Sequence, residues 1–145
     1  MSKGAAALLA LLLAALPGAP PARPLARQAA AQAPAPEFKI PPEEAKRANP
    51  VKPTAASIAT GKHVYTTQCA MCHGANGDGK GDLAADMKLT LRDYRDPASL
   101  KDMTDGELFY ILTKGKGDMP GEEDRMKPEQ RWDLINYIRS LAKKK

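Results

Sequence analysis

Cysteine is nearly absent from this 145-residue chain, which has two, together with two histidines and one tryptophan. Two cysteines cannot build the multi-bridge framework of a small disulfide-stapled secreted protein. Aromatic residues make up 5% of the chain. With no basic stripe to accompany them, they exclude a nucleic-acid platform. The net charge of +5 does not come from a basic face. Residues 51–145 carry 16 basic and 14 acidic side chains, and Lys143, Lys144 and Lys145 supply three of the positives. Those three lysines suit a helix C-terminus. Long apolar runs are lacking too. Residues 5–16 give 12 Ala and Leu in a row, about 18 Å as a helix against about 30 Å of bilayer core.

Such a run, after Lys3 and before small residues, has the pattern of a secretory signal peptide. A small-x-small cleavage pattern occurs at Ala29, Ala30 and Ala31. Residues 1–31 are therefore expected to be a signal, and the alternative is an uncleaved anchor that keeps the protein tethered outside. Ten of the 13 prolines lie before Thr54. That composition predicts an extended or disordered Pro/Ala-rich linker over 32–53, with no helix across 17–56. Phe38 and Ile40 could pack as an arm, but a solvated spacer is the plainer expectation. No internal repeat is visible. The folding unit is then 54–145, about 90 residues, a size whose core usually needs a cofactor, metal or disulfide.

Three helices are expected in that unit. Thr54 caps one running to about Gln68, with Ile58, Gly61, Tyr65 and Cys69 on one face. The glycine on that face implies a close backbone approach. A capping box, Thr104 with Glu107, opens a second that stops before Gly115, with Leu108, Ile111 and Leu112 inward. Pro128 opens a third that runs through Leu141, with Trp132, Leu134, Ile135, Tyr137 and Ile138 on its apolar side. Lys127 is a poor cap for it. Between the first two lie some thirty residues without a strand pattern, punctuated by Gly74, Gly77, Gly79 and Gly81. A loop that long in a small domain is expected to wrap something. The fold class is all-α, with long loops around a missing centre.

Cys69-Ala70-Met71-Cys72-His73 has the C-x-x-C-H spacing of covalent haem attachment. Thiols three positions apart at a helix end can form thioethers to the two vinyl groups of one porphyrin, and the adjacent His73 can ligate the iron. The competing readings are weaker. Thiol–disulfide exchange expects a βαβ setting. Zinc needs four ligands and would have to recruit His63, which falls on the other flank of its helix and reads as solvated. A disulfide across three residues would staple almost nothing. A sixth iron ligand can come from methionine. Met71 lies within the attachment loop. Met119 lies in the glycine-rich stretch 115–121, stiffened by Pro120, where backbone can approach a haem face. Met126 is its rival, and Met87 and Met103 remain open.

Residues 54–145 resemble a class I c-type cytochrome of the short bacterial monohaem type. The likeness rests on Gly61 and Tyr65, on Cys69–Gly74, on the glycine run to Gly81, on Gly117–Pro120, and on Trp132 to Tyr137. It implies a small cytochrome c fold wrapped around one haem c, with the first and last helices crossing near Gly61 and Tyr137. It implies a one-electron carrier of a respiratory or other periplasmic chain and not an enzyme, with His73 and Met119 as axial ligands. Its partners would be a redox donor and acceptor, met as a monomer or as a subunit of a larger redox complex. A membrane would be involved only through an uncleaved N-terminus. Asp82 and Leu91 stand where the resemblance leads one to expect the proline whose carbonyl accepts the proximal imidazole N–H, so that acceptor is left open. Arg92 and Tyr94 could bond the propionates or be solvated.

Overall fold

Pro41-Pro42-Glu43-Glu44 starts a helix where the composition predicted extended chain. The computed structural model describes residues 37–142. The expected signal and its cleavage pattern, and Lys143–Lys145, lie outside the described residues. Helix α1 (Pro42–Ala45) is a single turn with proline at its first position and Glu43 and Glu44 at its positive end, both favourable there. Most of 37–53 is exposed, but several of its groups bond or pack against the domain. The Ala45 carbonyl accepts the Thr104 hydroxyl at 2.6 Å, Asn49 donates to Asn136 at 2.9 Å, and the Phe38 ring lies 6.0 Å from that of Tyr110. Proline abundance excludes a long helix. It does not exclude an arm held through side chains and carbonyls.

Helix α2 (Ala55–Gln68) begins at Thr54, whose hydroxyl accepts the Ser57 N–H at 3.2 Å. Two short helices follow, α3 (Ala70–His73) and α4 (Asp82–Asp86), inside the stretch expected to be loop. They are too short to leave a hydrophobic period. Helix α5 (Asp105–Lys114) has both bonds of its capping box, Glu107 N–H to Thr104 Oγ1 at 3.1 Å and Thr104 N–H to Glu107 Oε2 at 2.7 Å. A two-residue antiparallel ribbon, β1 (Gly115–Lys116) with β2 (Met119–Pro120), joins it to α6 (Pro128–Ser140). Lys127 gives α6 no side-chain cap; Gln130 Oε1 accepts the Lys127 N–H at 3.1 Å instead. The all-α class stands, with this small ribbon added.

Helix α2 crosses α6 at Gly61. A Cβ built on Gly61 would overlap the Asp133 carbonyl and lie 2.8 Å from the Tyr137 Cβ, so only glycine permits the approach. The crossing continues with Tyr65 against Tyr137, ring centres 5.2 Å apart. Tyr65, Leu134 and Ile135 are fully buried there, each burial being worth about 2 kcal/mol. Helix α5 joins through Phe109, stacked on Trp132 at 4.0 Å. Arg139 of α6 donates to Asp105 at 3.0 Å, to the Leu100 carbonyl at 2.9 Å and to the Met103 carbonyl, which ties the loop before α5 to the last helix. The three long helices thereby form a frame at whose edge α2 ends in Cys69.

Candidate haem-binding site

Cys69 closes α2, its N–H bonded to the Tyr65 carbonyl at 2.9 Å, and its own carbonyl accepts from Cys72 at 3.1 Å and His73 at 2.9 Å. That single turn sets the two sulfurs three positions apart on neighbouring sites of one helical surface. Both thiols are free and half-buried. The chain then reverses at Gly74, whose carbonyl accepts the Tyr65 hydroxyl at 2.8 Å; the same hydroxyl reaches the His73 carbonyl at 3.2 Å. A tyrosine in the core of α2 thus fixes the backbone beside the histidine. Burial pushes its phenol above the ordinary range, so it stays a donor.

Burial first, then Glu122, pushes the Cys69 thiol up to about 12. Glu122 is itself buried; one carboxylate oxygen takes Arg125 at 2.8 Å and Oε2 has no hydrogen-bond partner. Glu122 lies three residues after Met119 in the chain. Burial lowers the His73 pKa, which favours the neutral imidazole that a metal requires. Its Nδ1 is buried without a hydrogen-bond partner, so the expected carbonyl acceptor is not supplied by the backbone here. The His73 ring stacks on Tyr94, centres 5.1 Å apart, and burial raises the Tyr94 phenol to about 12. Arg92 is exposed and donates to the Ser99 carbonyl. His63 is exposed on α2.

The methionines separate by environment. Met119 is half-buried on β2, opposite Lys116, and packs on the same core as Cys69 and Tyr94. Gly115 makes that ribbon possible, with φ +79° and the Met119 carbonyl 2.5 Å from where a Cβ would stand. Met126, the rival, is 4% exposed and belongs to the core. Met103 is half-buried against the core. Met71 and Met87 are 66% and 46% exposed.

Two free thiols one helical turn apart, an imidazole next to them that burial keeps neutral, and a ribbon methionine packed on the same core as Cys69 fit a covalently held haem. Zinc fits poorly: among the described residues no three His, Cys, Asp or Glu side chains gather as a metal site. The sequence did not mark Glu122, which looks like any other acid in the run Glu122-Glu123-Asp124.

The family model for cytochrome c matches residues 58–142. Cytochrome c6 of Limnospira maxima is 31% identical over 90 residues, 60% of this chain and 96% of that protein. Among solved structures, a chain of the Kuenenia stuttgartiensis reducing HAO-like protein complex Kustc0457/Kustc0458 is similar at 26% identity and a TM-score of 0.55. That match takes in 65% of this chain and 47% of the other, so this chain spans about half the length of that relative. The KustC0563 c-type cytochrome shares the fold at 23% identity and a TM-score of 0.51, with 57% of this chain and 98% of that one covered. The chain belongs to the cytochrome c family of electron-transport proteins and carries covalently bound haem c.

Proposed function

We propose that this protein is an exported, single-haem electron carrier. Cys69 and Cys72 hold the haem and His73 and Met119 ligate its iron. The observation that carries the reading is the junction after α2, where two free, half-buried thiols stand next to an imidazole that burial keeps in its neutral form. The bound haem supplies a one-electron change between ferric and ferrous iron. If His73 and Met119 both bind the iron, no position would be left for a substrate, which favours a carrier over an enzyme. A methionine ligand raises the potential relative to a second histidine. Tyr65, Leu108, Trp132 and Ile135 are buried and keep water from that region. Met71, between the two cysteines, is exposed, which puts the attachment edge at the surface where a donor or acceptor protein can approach.

The 12-residue apolar run near the start supports export, with 1–31 as signal and the periplasm as destination. No helix among the described residues is long and apolar enough to cross a membrane. Residues 54–145 form the haem-binding domain in this reading, and 37–53 an arm upon it.

The ligand assignment is tested by Met119→Ala. The variant is expected to keep its haem through denaturation, lose the methionine-to-iron absorption band of the ferric protein, and show a lower potential. Met126→Ala is expected to keep the band while losing about 2–4 kcal/mol of stability, as a buried methionine should. The reverse pattern would transfer the ligand role to Met126.

A further inference from the structure

Arg131 lies on the apolar side of α6 at 5% exposure, and its Nε and Nη1 have no hydrogen-bond partner. A guanidinium keeps its charge when buried, so one without an ion pair in the interior calls for a counter-charge. Two further cations lie close by. The Arg131 guanidinium lies 4.9 Å from the centre of the Phe109 ring, and that of Arg47, from the N-terminal arm, lies 4.5 Å from the same centre. Arg47, Arg131 and Lys114 line one cavity of about 270 Å³ together with Glu44, Glu123 and Thr113.

Glu44 pairs with Arg47 at 2.8 Å and Glu123 with Lys114 at 2.6 Å, and the charge of Arg131 also acts on Glu123, so three cations share the cavity with two carboxylates. Pro128, the first residue of α6, stands on the same wall, so the positive end of a 13-residue helix adds to the field. The volume holds a phosphate-sized ion with some of its water, each water taking about 30 Å³.

We propose that this cavity is a binding site for a small free oxyanion of the phosphate class, held by Arg131 with Arg47 beside it. Arg47 belongs to the arm that precedes α2 and Arg131 to the last helix, so the bound ion ties the arm to the domain. The site is separate from the haem ligands, and its test does not depend on which methionine binds the iron.

The test uses the holoprotein, titrated with inorganic phosphate at constant ionic strength against chloride, with melting temperature and calorimetric binding as readouts. Wild type is expected to show a saturable rise in melting temperature with phosphate and none with chloride. Arg131→Met puts an apolar side chain of similar reach in the buried position and is expected to remain folded and to abolish the rise. Arg47→Gln, on the exposed side, is expected to weaken phosphate binding about tenfold through the loss of charge-assisted hydrogen bonds. Lys62→Gln, on exposed α2, is expected to leave it unchanged. No phosphate-specific rise in wild type, or the same rise in Arg131→Met, would overturn the proposal. Should Arg131→Met fail to fold, an unchanged phosphate Kd in Arg47→Gln would overturn it equally.

Discussion

Replacing both Cys69 and Cys72 with alanine is expected to give a chain that releases its haem on denaturation and has little helical structure when apo. The first effect follows from the loss of both thioethers. The second follows from how little the cofactor-wrapping chain buries of its own. Helix α3 has no buried residue, and from Gly74 to Met103 the buried hydrophobic side chains are Ala84 and Leu100 alone. Ordering a residue costs about 1–2 kcal/mol in backbone entropy, and two small burials cannot offset that over thirty residues. The frame of α2, α5 and α6 has a core, but it is a small one, in a size range where a cofactor usually completes the fold. The measurements are haem fluorescence on a denaturing gel and far-ultraviolet circular dichroism. Haem retained through denaturation would remove these cysteines as the attachment points. Cooperative melting of the haem-free variant with full helical signal would show the core to be self-sufficient.

Gly61→Val is expected to destabilise the holoprotein by about 3 kcal/mol or more, the upper end of overpacking effects. The groups a side chain would meet are the Asp133 carbonyl and the Tyr137 Cβ. Both are fixed parts of α6 and cannot swing aside as the tip of a long side chain could. The helices must separate, which breaks the contact of Tyr65 with Tyr137 and moves the turn that Tyr65 holds beside His73. At about 4–8 °C per kcal/mol for a domain of this size, the melting temperature should fall by roughly 15 °C. Ala59→Val, two residues earlier and exposed, is the control and should shift stability by less than about 1 kcal/mol. Equal stability of the two variants would mean that α2 and α6 do not cross at this glycine.

The ends of the long helices were readable because each is marked by local chemistry. Thr54, the Thr104–Glu107 pair and Pro128 act on the backbone within three residues of themselves, so no tertiary information is needed to place them. Gly61 was readable for the opposite reason: a glycine on an apolar helical face has no local purpose, and it pointed to the crossing helix. The single turn of α1 was missed because proline content was weighed over a run of residues. Pro42 followed by Glu43 and Glu44 is itself a helix-start signal. Phe109 and Arg131 were also overlooked as interior positions. Phe109 stands three residues before Leu112, and Arg131 four before Ile135 and seven before Ile138. Helical spacing places both on buried stripes, although the charge of Arg131 argued against it.

In the candidate site, the clustering of Cys69, Cys72 and His73 was legible because one helical turn contains all three. Glu122 was not, since its burial depends on how the chain after β2 folds back over α5, where its N–H meets the Leu112 carbonyl at 2.8 Å. The choice among methionines is of the same kind. Local sequence distinguishes a glycine-rich ribbon from a helix flank, but loop packing decides where each sulfur comes to lie.

A potentiometric titration of the purified holoprotein, followed by its visible absorption, tests the central claim most directly. The account predicts a single one-electron transition, with both axial positions filled in each oxidation state and no spectral change when carbon monoxide meets the reduced protein. A two-electron thiol–disulfide couple without a visible band, or a reduced iron that binds carbon monoxide at once, would contradict it.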